Sequence, residues 1–339
     1  MAQLTLIFAR CWQAIPTLFG IVVVTFLLTR ALPGDPAAYF AGASATPESI
    51  AEIRVKLGLD RSFPVQFWSY LKGLAHGDLG QSISTGQPVA TELLRRLPAS
   101  LELTLTALLL SVAVAIPLGV LAAVHQDSWI DQLCRFMVTA GVSLPTFFTG
   151  LLLVYVFYFL LGVAPAPLGR LDILHVLPPH VTGFLVIDGL VAGQWSVAWS
   201  AFKQLLLPSI TLGLFTLAPI ARMTRAAMLQ SLASEYLRTA RAAGLTRHQV
   251  LFVYAFRNAL LPVITTLGMV FSFTLGANVL VEKVFAWPGI GSFALEALVV
   301  SDYAAVQGFV LSMAVLFVTL NLAVDTLYTL IDPRVRVDG

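Results

Sequence analysis

Charge is what this chain has least of. Asp, Glu, Lys and Arg make up 11% of its 339 residues, against 58% hydrophobic residues that include 22 Phe. That is far more apolar surface than a soluble core needs, and the mean hydropathy of +0.86 marks an integral membrane protein. Only four lysines occur, Lys56, Lys72, Lys203 and Lys283, and none follows a glycine. A P-loop, which needs Gly-Lys and then Ser or Thr to cradle phosphates, is therefore excluded. The five histidines, His76, His125, His175, His180 and His248, are scattered. His175 and His180 stand five apart in a Pro-rich loop, not the four that sets two ligands on one helical face, so no metal site is expected. No GxSxG motif occurs and no hydroxyl in an apolar run has a base partner, so no catalytic residue is assigned. Internal repeats and low-complexity stretches are absent too, and no nucleic-acid partner is expected.

What is present is six uncharged runs of at least about 18 residues, enough for a helix to cross about 30 Å of hydrocarbon. They are Cys11 to Thr29, Leu103 to Val124, Phe136 to Gly169, Gln204 to Ala221, Asn258 to Val281 and Tyr303 to Val324. Lipid cannot hydrogen-bond a bare backbone, and the runs lack the alternation of barrel strands, so each reads as a helix. The third run, at 34 residues, is too long for one span, and Gly162, Pro165 and Pro167 place its helix end near Leu161. The first run meets Arg30 at once without a small-residue cleavage site, which favours an uncleaved span over a signal peptide. The expected fold is all-α with six transmembrane helices. It divides into residues 1–30 with the first span, an extracytoplasmic helical segment 31–98, a five-helix core 99–331 containing the cytoplasmic loop 222–258, and a cytoplasmic tail 332–339.

Positive residues set the orientation, because they are retained on the cytoplasmic side. With the N-terminus inside, the inner segments hold Arg10, Arg135, six arginines from Arg222 to Arg257, Arg334 and Arg336, while the two short outer loops hold only Arg170, Lys203 and Lys283. Segment 31–98 carries six more, including Arg95 and Arg96 close to a span, but at 68 residues it is long enough for the rule to weaken. Both termini are thus expected in the cytoplasm. Cys11 and Cys134 then lie near the inner face, where thiols stay reduced, and no disulfide is expected.

One inner stretch, "EYLRTARAAGLTRHQVLFVYAFRNALLP" at 235 to 262, gathers four arginines, a glutamate and a histidine. Ser234 can cap a helix with Glu235 in its first turn and Arg238 and Arg241 in later ones, the charge order the helix dipole favours. Gly244 can take the left-handed conformation that ends it, and Thr246 with Gln249 has the pattern of a capping box opening the next helix. The first helix, about nine residues, is too short to stand alone in water. Spacing puts Tyr236, Ala240 and Ala243 on one stripe and Glu235, Arg238 and Arg241 near another, which suits a helix laid into a groove on another protein. Two readings stay open on the residues alone: such docking, or arginines that merely fix topology and meet lipid headgroups.

Segment 31–98 has helical logic of its own. Thr46, Pro47 and Glu48 open one helix, and Phe63, Phe67, Tyr70, Leu71 and Leu74 recur at helical spacing in another, giving a compact cap or a lid on the span ends. Hydroxyls and amides in the spans are the candidates for a translocation path: Thr104, Ser143, Thr146, Thr265, Ser272 and Asn278, with Thr106, Thr149, Thr266 and Thr274 beside them. The same groups can instead bond their own helix or glue helices together. Pro16, Pro117, Pro145, Pro208, Pro219 and Pro262 are candidate kinks. Ion-driven carriers place carboxylates or histidines deep in the membrane; the nearest here is Asp325, toward the inner end of the sixth run, which also reads as an interfacial carboxylate or an arginine's partner. The energy source is expected in another subunit.

The stretch "EYLRTARAAGL" followed by "RNALLP" resembles the cytoplasmic loop signature of permease subunits in ATP-binding-cassette importers, in the form of the dipeptide and oligopeptide branch. Arg238, Thr239 and Ala240 stand where the wider family has Glu-Ala-Ala, while Gly244 matches. "LPGDP" at 32 to 36, "LGLD" at 57 to 60, "HGDLGQS" at 76 to 82, "WPGIG" at 287 to 291 and "DPRVR" at 332 to 336 resemble the same branch in order, and "TGFLVIDGL" at 182 to 190 is similar to its B-type dipeptide permeases. The resemblance implies a type I importer permease fold in the bacterial cytoplasmic membrane. It implies a second, homologous but non-identical permease, two cytoplasmic P-loop ATPases that bind ATP and Mg, and an extracytoplasmic substrate-binding protein meeting 31–98 and 163–203; this chain binds no cofactor itself. Glu235, Tyr236, Arg238, Thr239, Ala240, Arg241, Ala243 and Gly244 are the implied coupling residues. Another cargo (longer peptides, nickel, haem, glutathione) is the alternative within the family, and a secondary carrier the alternative outside it.

Overall fold

The computed structural model describes residues 2–31, 35–42 and 45–331, with side chains over 12–324 and 326 of that set. The expected "DPRVR" motif and tail 332–339, part of "LPGDP", and the side chains of Arg10, Cys11, Asp325, Arg334 and Arg336 lie outside the described residues. In chain order the helices are α1 (Ala2–Ala31), α2 (Pro36–Ala41), α3 (Pro47–Lys56), α4 (Phe63–Ala75), α5 (Val89–Val124), α6 (Trp129–Val142) and α7 (Thr146–Leu160). They continue as α8 (Leu185–Val191), α9 (Trp195–Leu232), α10 (Glu235–Ala242), α11 (Gln249–Val284), α12 (Ile290–Val299) and α13 (Tyr303–Ile331). The only β feature among the described residues is an isolated bridge between Gln81 and Pro88.

Among the described residues five helices are long and apolar enough to cross a membrane, namely α1 over Trp12–Ala31, α5, α9, α11 and α13 over Tyr303–Val324. The third expected span is not one helix. α6 and α7 meet at 97°, and they make a sixth span only as a bent pair. The break falls at Ser143, Leu144 and Pro145. Proline has no N–H to give and pushes the residue before it out of helical geometry, which is why the chain turns there. The last turns of α7 are π-helical and end at Leu160, next to the expected Leu161. The other helices overrun their apolar runs: α5 begins at Val89 rather than Leu103, so the expected boundary at Pro98 lies inside it, and α9 and α11 begin at Trp195 and Gln249. Hydropathy marks only the part of a helix that meets hydrocarbon, whereas the hydrogen-bond ladder continues past it.

Two compact units divide the chain. The first comprises residues 1–98 and 288–319. Thr46 caps α3 by accepting the Ser49 N–H at 3.3 Å, with Pro47 at the first helical position. Phe67 and Tyr70 of α4 lie against Phe26 of α1, ring centroids 5.0 and 5.9 Å apart. Val89 and Leu93 pack with Phe293, Ala297 and Ala305, and Gly308 is required there because a Cβ would come within 2.5 Å of Val89 Cγ1. The polar organiser is buried Asp302. It accepts from Ser82 Oγ at 2.6 Å and from the N–H groups of Ile83 at 2.7 Å and Ser84 at 3.2 Å, and caps α13 by accepting the Ala305 N–H at 3.2 Å.

The second unit comprises, of the described residues, 99–287 and 320–331. Its helices approach closely where side chains are small: a Cβ on Gly119 of α5 would meet Thr224 Cβ of α9 at 2.6 Å. A polar seam joins α5 to the end of α11. Ser100 Oγ donates to Glu282 Oε1 at 2.5 Å, Asn278 Nδ2 donates to Thr104 Oγ1 at 3.2 Å and Ser100 O at 3.3 Å, and Trp287 Nε1 donates to Ala99 O at 2.9 Å. Farther along, Ser111 donates to Gly213 O at 2.7 Å and bonds Thr216. Arg170 donates to Glu102 at 2.5 Å and to Gly183 O at 2.7 Å, tying down the loop before α8. There Asp188 of "TGFLVIDGL" accepts from Thr182 N and Oγ1, both at 2.7 Å, and from Gly183 N at 2.9 Å.

Two outcomes are expected. Asp302→Ala leaves the Ser82 to Ser84 turn and the start of α13 without their acceptor and lowers stability by about 3 kcal/mol, read as a fall in Tm in detergent. Burial pushes the Asp188 carboxyl up, but the bonds from Thr182, Gly183 and Val181 outweigh it and hold its pKa below the ordinary value. A group depressed in the folded state stabilises fully above its unfolded value, about pH 4, and ceases to as pH falls through the lower folded value. Protection from hydrogen exchange at 181–184, taken relative to the intrinsic rate at each pH, should therefore fall on acidification below about pH 4, and Asp188→Asn should remove that dependence.

Candidate functional site

The charge-rich stretch forms a helix, a turn and a second helix. α10 is eight residues long, and Ser234 precedes it in extended geometry. The expected side-chain cap is not made: the Ser234 hydroxyl donates back to Ser231 O at 2.5 Å, and its carbonyl alone accepts the first helical bonds. Gly244 ends the helix at φ +80°, where a Cβ would be strained. Leu245 N donates to Ala240 O at 3.3 Å and Gly244 N to Arg241 O at 3.1 Å, the paired closure of a Schellman turn. The capping box is formed, with Gln249 N donating to Thr246 Oγ1 at 3.3 Å and Thr246 N to Gln249 Oε1 at 3.0 Å. The first turns of α11 after it are π-helical, over Gln249–Ala255.

The chain itself holds α10 in place. Leu237 is 0% exposed and packs with Ala240, Met228, Val250, Ala255 and Ala259, and with Ala123 at the end of α5. The stripe buried within the chain is thus Leu237 and Ala240. Among the expected docking residues Ala240 is turned into the chain, while Glu235, Tyr236, Arg238, Thr239, Arg241, Ala243 and Gly244 are exposed. Leu237 was legible as the one large aliphatic residue within the helix. Two polar ties reinforce the packing: Asn258 Nδ2 donates to Tyr236 Oη at 2.7 Å, and Arg241 Nη2 donates to Leu232 O at 3.2 Å, satisfying a carbonyl at the end of α9. The Glu235 and Arg238 pair, 3.9 Å apart and fully in the open, adds little. Beside α10 a cleft of about 360 Å³ is lined by Val124, Leu232, Leu245 and Val250 and rimmed by Arg241 and Arg247.

The path candidates separate. Thr104 and Asn278, 0% and 1% exposed, bond each other in the α5–α11 seam and face no open space. Ser143 is exposed at the α6–α7 break, its hydroxyl donating to Thr139 O at 2.8 Å, and Thr146 is half-buried at the start of α7. Thr265 and Ser272 are half-buried, with hydroxyls donating to Leu261 O and Gly268 O, both at 3.1 Å. Thr266, Thr274 and Thr149 bond their own helices in the same way. Cys134 is buried and free.

Long apolar helices joined by buried polar seams are the build of a multi-pass membrane protein, and here a short, internally anchored helix is offered outward between two of them. Residues 115–337 match the family model of the binding-protein-dependent transport system inner membrane component, and residues 3–104 match the N-terminal model of the same membrane component. The chain belongs to this family and is a multi-pass inner-membrane protein. It is 44% identical over 330 residues to the probable D,D-dipeptide transport system permease protein of Escherichia coli strain K12, covering 97% of each chain. It is 42% identical over 335 residues to the di/tripeptide transport system permease protein of Pseudomonas aeruginosa strain UCBPP-PA14, covering 98% of this chain and 99% of the relative. With the dipeptide transport system permease protein of Alkalihalophilus pseudofirmus the identity is 40% over 327 residues, 96% of this chain and 98% of the relative.

Leu237→Ala removes the anchor and opens a cavity, at a cost of about 3 kcal/mol. Amide exchange in α10 should speed up markedly while exchange in α5, α9 and α13 stays slow.

Proposed function

We infer that the chain is the permease subunit of an importer for dipeptides or other short peptides, and that α10 is the helix through which separate ATPase subunits drive it. The printed names of the relatives support the cargo class, and one observation carries the coupling role. α10 projects Glu235, Tyr236, Arg238, Thr239 and Arg241 outward while Leu237 and Ala240 lock it to α5, α9 and α11. A helix of eight residues has no stability of its own, so a force on its outer face passes into the long helices that hold it.

In this reading both termini and α10 face the cytoplasm, in line with the ten arginines assigned to the inner segments. Two P-loop subunits bind ATP and Mg, a second, non-identical permease completes the path, and a substrate-binding protein delivers peptide to the other face. The exposed guanidinium groups of Arg238 and Arg241 are suited to bidentate pairing with carboxylates of an ATPase surface. The cleft beside α10 offers an apolar seat for a neighbouring side chain. Closure of the ATPase pair on ATP would push α10, and α9 and α11 would carry the motion to the membrane-spanning region. Ser143, Thr146, Thr265 and Ser272 remain the path candidates.

The test is co-purification of P-loop ATPases with the tagged chain from its host in mild detergent. Gly244→Pro forbids the φ of +80° that ends α10, and Arg238→Glu and Arg241→Glu reverse the outward charge. Wild type should bring down ATPases, and the variants should lose them at least about tenfold while still reaching the membrane. Recovery of no ATPase with wild type would return the arginines to the role of topology signals and favour a secondary carrier. Single cysteines at the four path positions should react with aqueous thiol reagents in an ATP-dependent way, and uniform protection would remove them from the path.

A further inference from the structure

A second cationic feature lies away from α10, where α5, α6 and α9 meet. A cavity of about 110 Å³ there is floored by Leu118, Ala122 and Val138 and edged by Arg135, Thr139, Arg222 and Arg225. Its depth in the membrane can be read from the chain: the apolar run of α9 ends at Ala221 and charge resumes at Arg222, while the run of α5 ends at Val124. The cavity therefore sits where hydrocarbon gives way to headgroups.

The charges at this site do not balance. Asp131 of α6, 0% exposed, accepts Arg225 Nε at 2.8 Å and Nη2 at 2.6 Å and has Arg135 Nε at 3.6 Å. One buried carboxylate thus serves two arginines, and Asp127 is the other carboxylate acting on Arg225. Arg222 has no carboxylate partner among the described residues; its Nε donates at 3.3 Å to Ala218 O of its own helix, and the side chain is exposed. Next to this rim α6 presents Trp129, Leu133, Phe136 and Met137 as an exposed apolar stripe, with exposures of 47 to 72%. Tryptophan at the interface and an apolar face beside Arg222, which has no carboxylate partner among the described residues, and Arg135, which shares one, suit a molecule with an anionic head and a hydrocarbon body.

We propose that this cavity is a binding site for the phosphate of an anionic membrane phospholipid, with Arg222 and Arg135 donating to the phosphate oxygens and the acyl chains lying along the Trp129 to Met137 face of α6. The Arg225 and Asp131 pair is structural: it fixes α6 against α9 and so holds the cavity open. A guanidinium near such a surface contributes about fivefold in affinity for an anionic lipid, about 1 kcal/mol.

The experiment uses the full-length chain, purified in neutral detergent and depleted of lipid. Phosphatidylglycerol, phosphatidylcholine and inorganic phosphate are titrated separately, with binding followed by native mass spectrometry and by the rise in Tm. Arg222→Gln and the double variant Arg222→Gln/Arg135→Gln keep the Arg225 and Asp131 pair, and an unchanged Tm without lipid shows that they fold. Wild type should prefer phosphatidylglycerol to phosphatidylcholine, the single variant should weaken phosphatidylglycerol about fivefold and the double about 25-fold, with phosphatidylcholine unaffected. Equal binding of the two lipids, or variants that bind phosphatidylglycerol as wild type does, would overturn the proposal. So would inorganic phosphate binding as tightly as phosphatidylglycerol, which would make the cavity a free-anion site.

Discussion

Inside a bilayer a polar group has only protein to bond to, and this constraint organises the second unit. Asn278 and Glu282 near the end of α11, with Trp287 just beyond it, reach Thr104, Ser100 and the Ala99 carbonyl on α5, so an amide, a carboxylate and an indole fasten the two helices together. Ser111 and Thr216 do the same between α5 and α9, and Asp131 with Arg225 between α6 and α9. Small residues set how near these helices come; polar residues set which ones meet. The hydrophobic effect places the helices in the membrane but does not choose among their pairings, because lipid tails are as apolar as leucine.

The exposed helix depends on the same arrangement. α10 rests on a patch made from the ends of α5, α9 and α11, and that patch exists only because those three helices are already held in fixed relation. Leu237 fills it, the Schellman turn at Gly244 and the capping box at Thr246 turn the chain into α11, and Tyr236 is tied to Asn258. Outward of that patch Tyr236 and Arg241 are tied back to the chain, while Glu235 and Arg238 meet each other at the exposed surface and leave their charge to a partner.

Much of this was legible in the residues, and the failures have physical causes. Uncharged runs located the spans because hydropathy is a local property, but they missed that α5 starts at Val89, since helical hydrogen bonding continues through Glu92, Arg95 and Arg96, which pair with one another at the helix surface. Pro145 was visible as a kink; the size of the turn between α6 and α7 was not, because a proline breaks the hydrogen-bond ladder without setting the angle at which the chain goes on. Gly244 and the Thr246 and Gln249 pair were read correctly since caps are determined within a few residues. The internal face of α10 went unread, because the stripe of Tyr236, Ala240 and Ala243 was weighed only against an outside partner, and Thr104 and Asn278 stayed open between a path and a helix tie because hydropathy cannot tell a hydroxyl facing water from one facing an amide. α8 and α12, short and without spans of their own, left no periodic signal long enough to read.

The Asp131 and Arg225 pair also imposes an order in time. The two residues are 94 positions apart, so at about 5 to 20 residues per second the carboxylate leaves the ribosome some 5 to 20 s before its guanidinium exists. During that interval Arg135, four residues along the same helix, is the guanidinium within reach of Asp131. The tie that fastens α6 to α9 can therefore close only once both helices have been made.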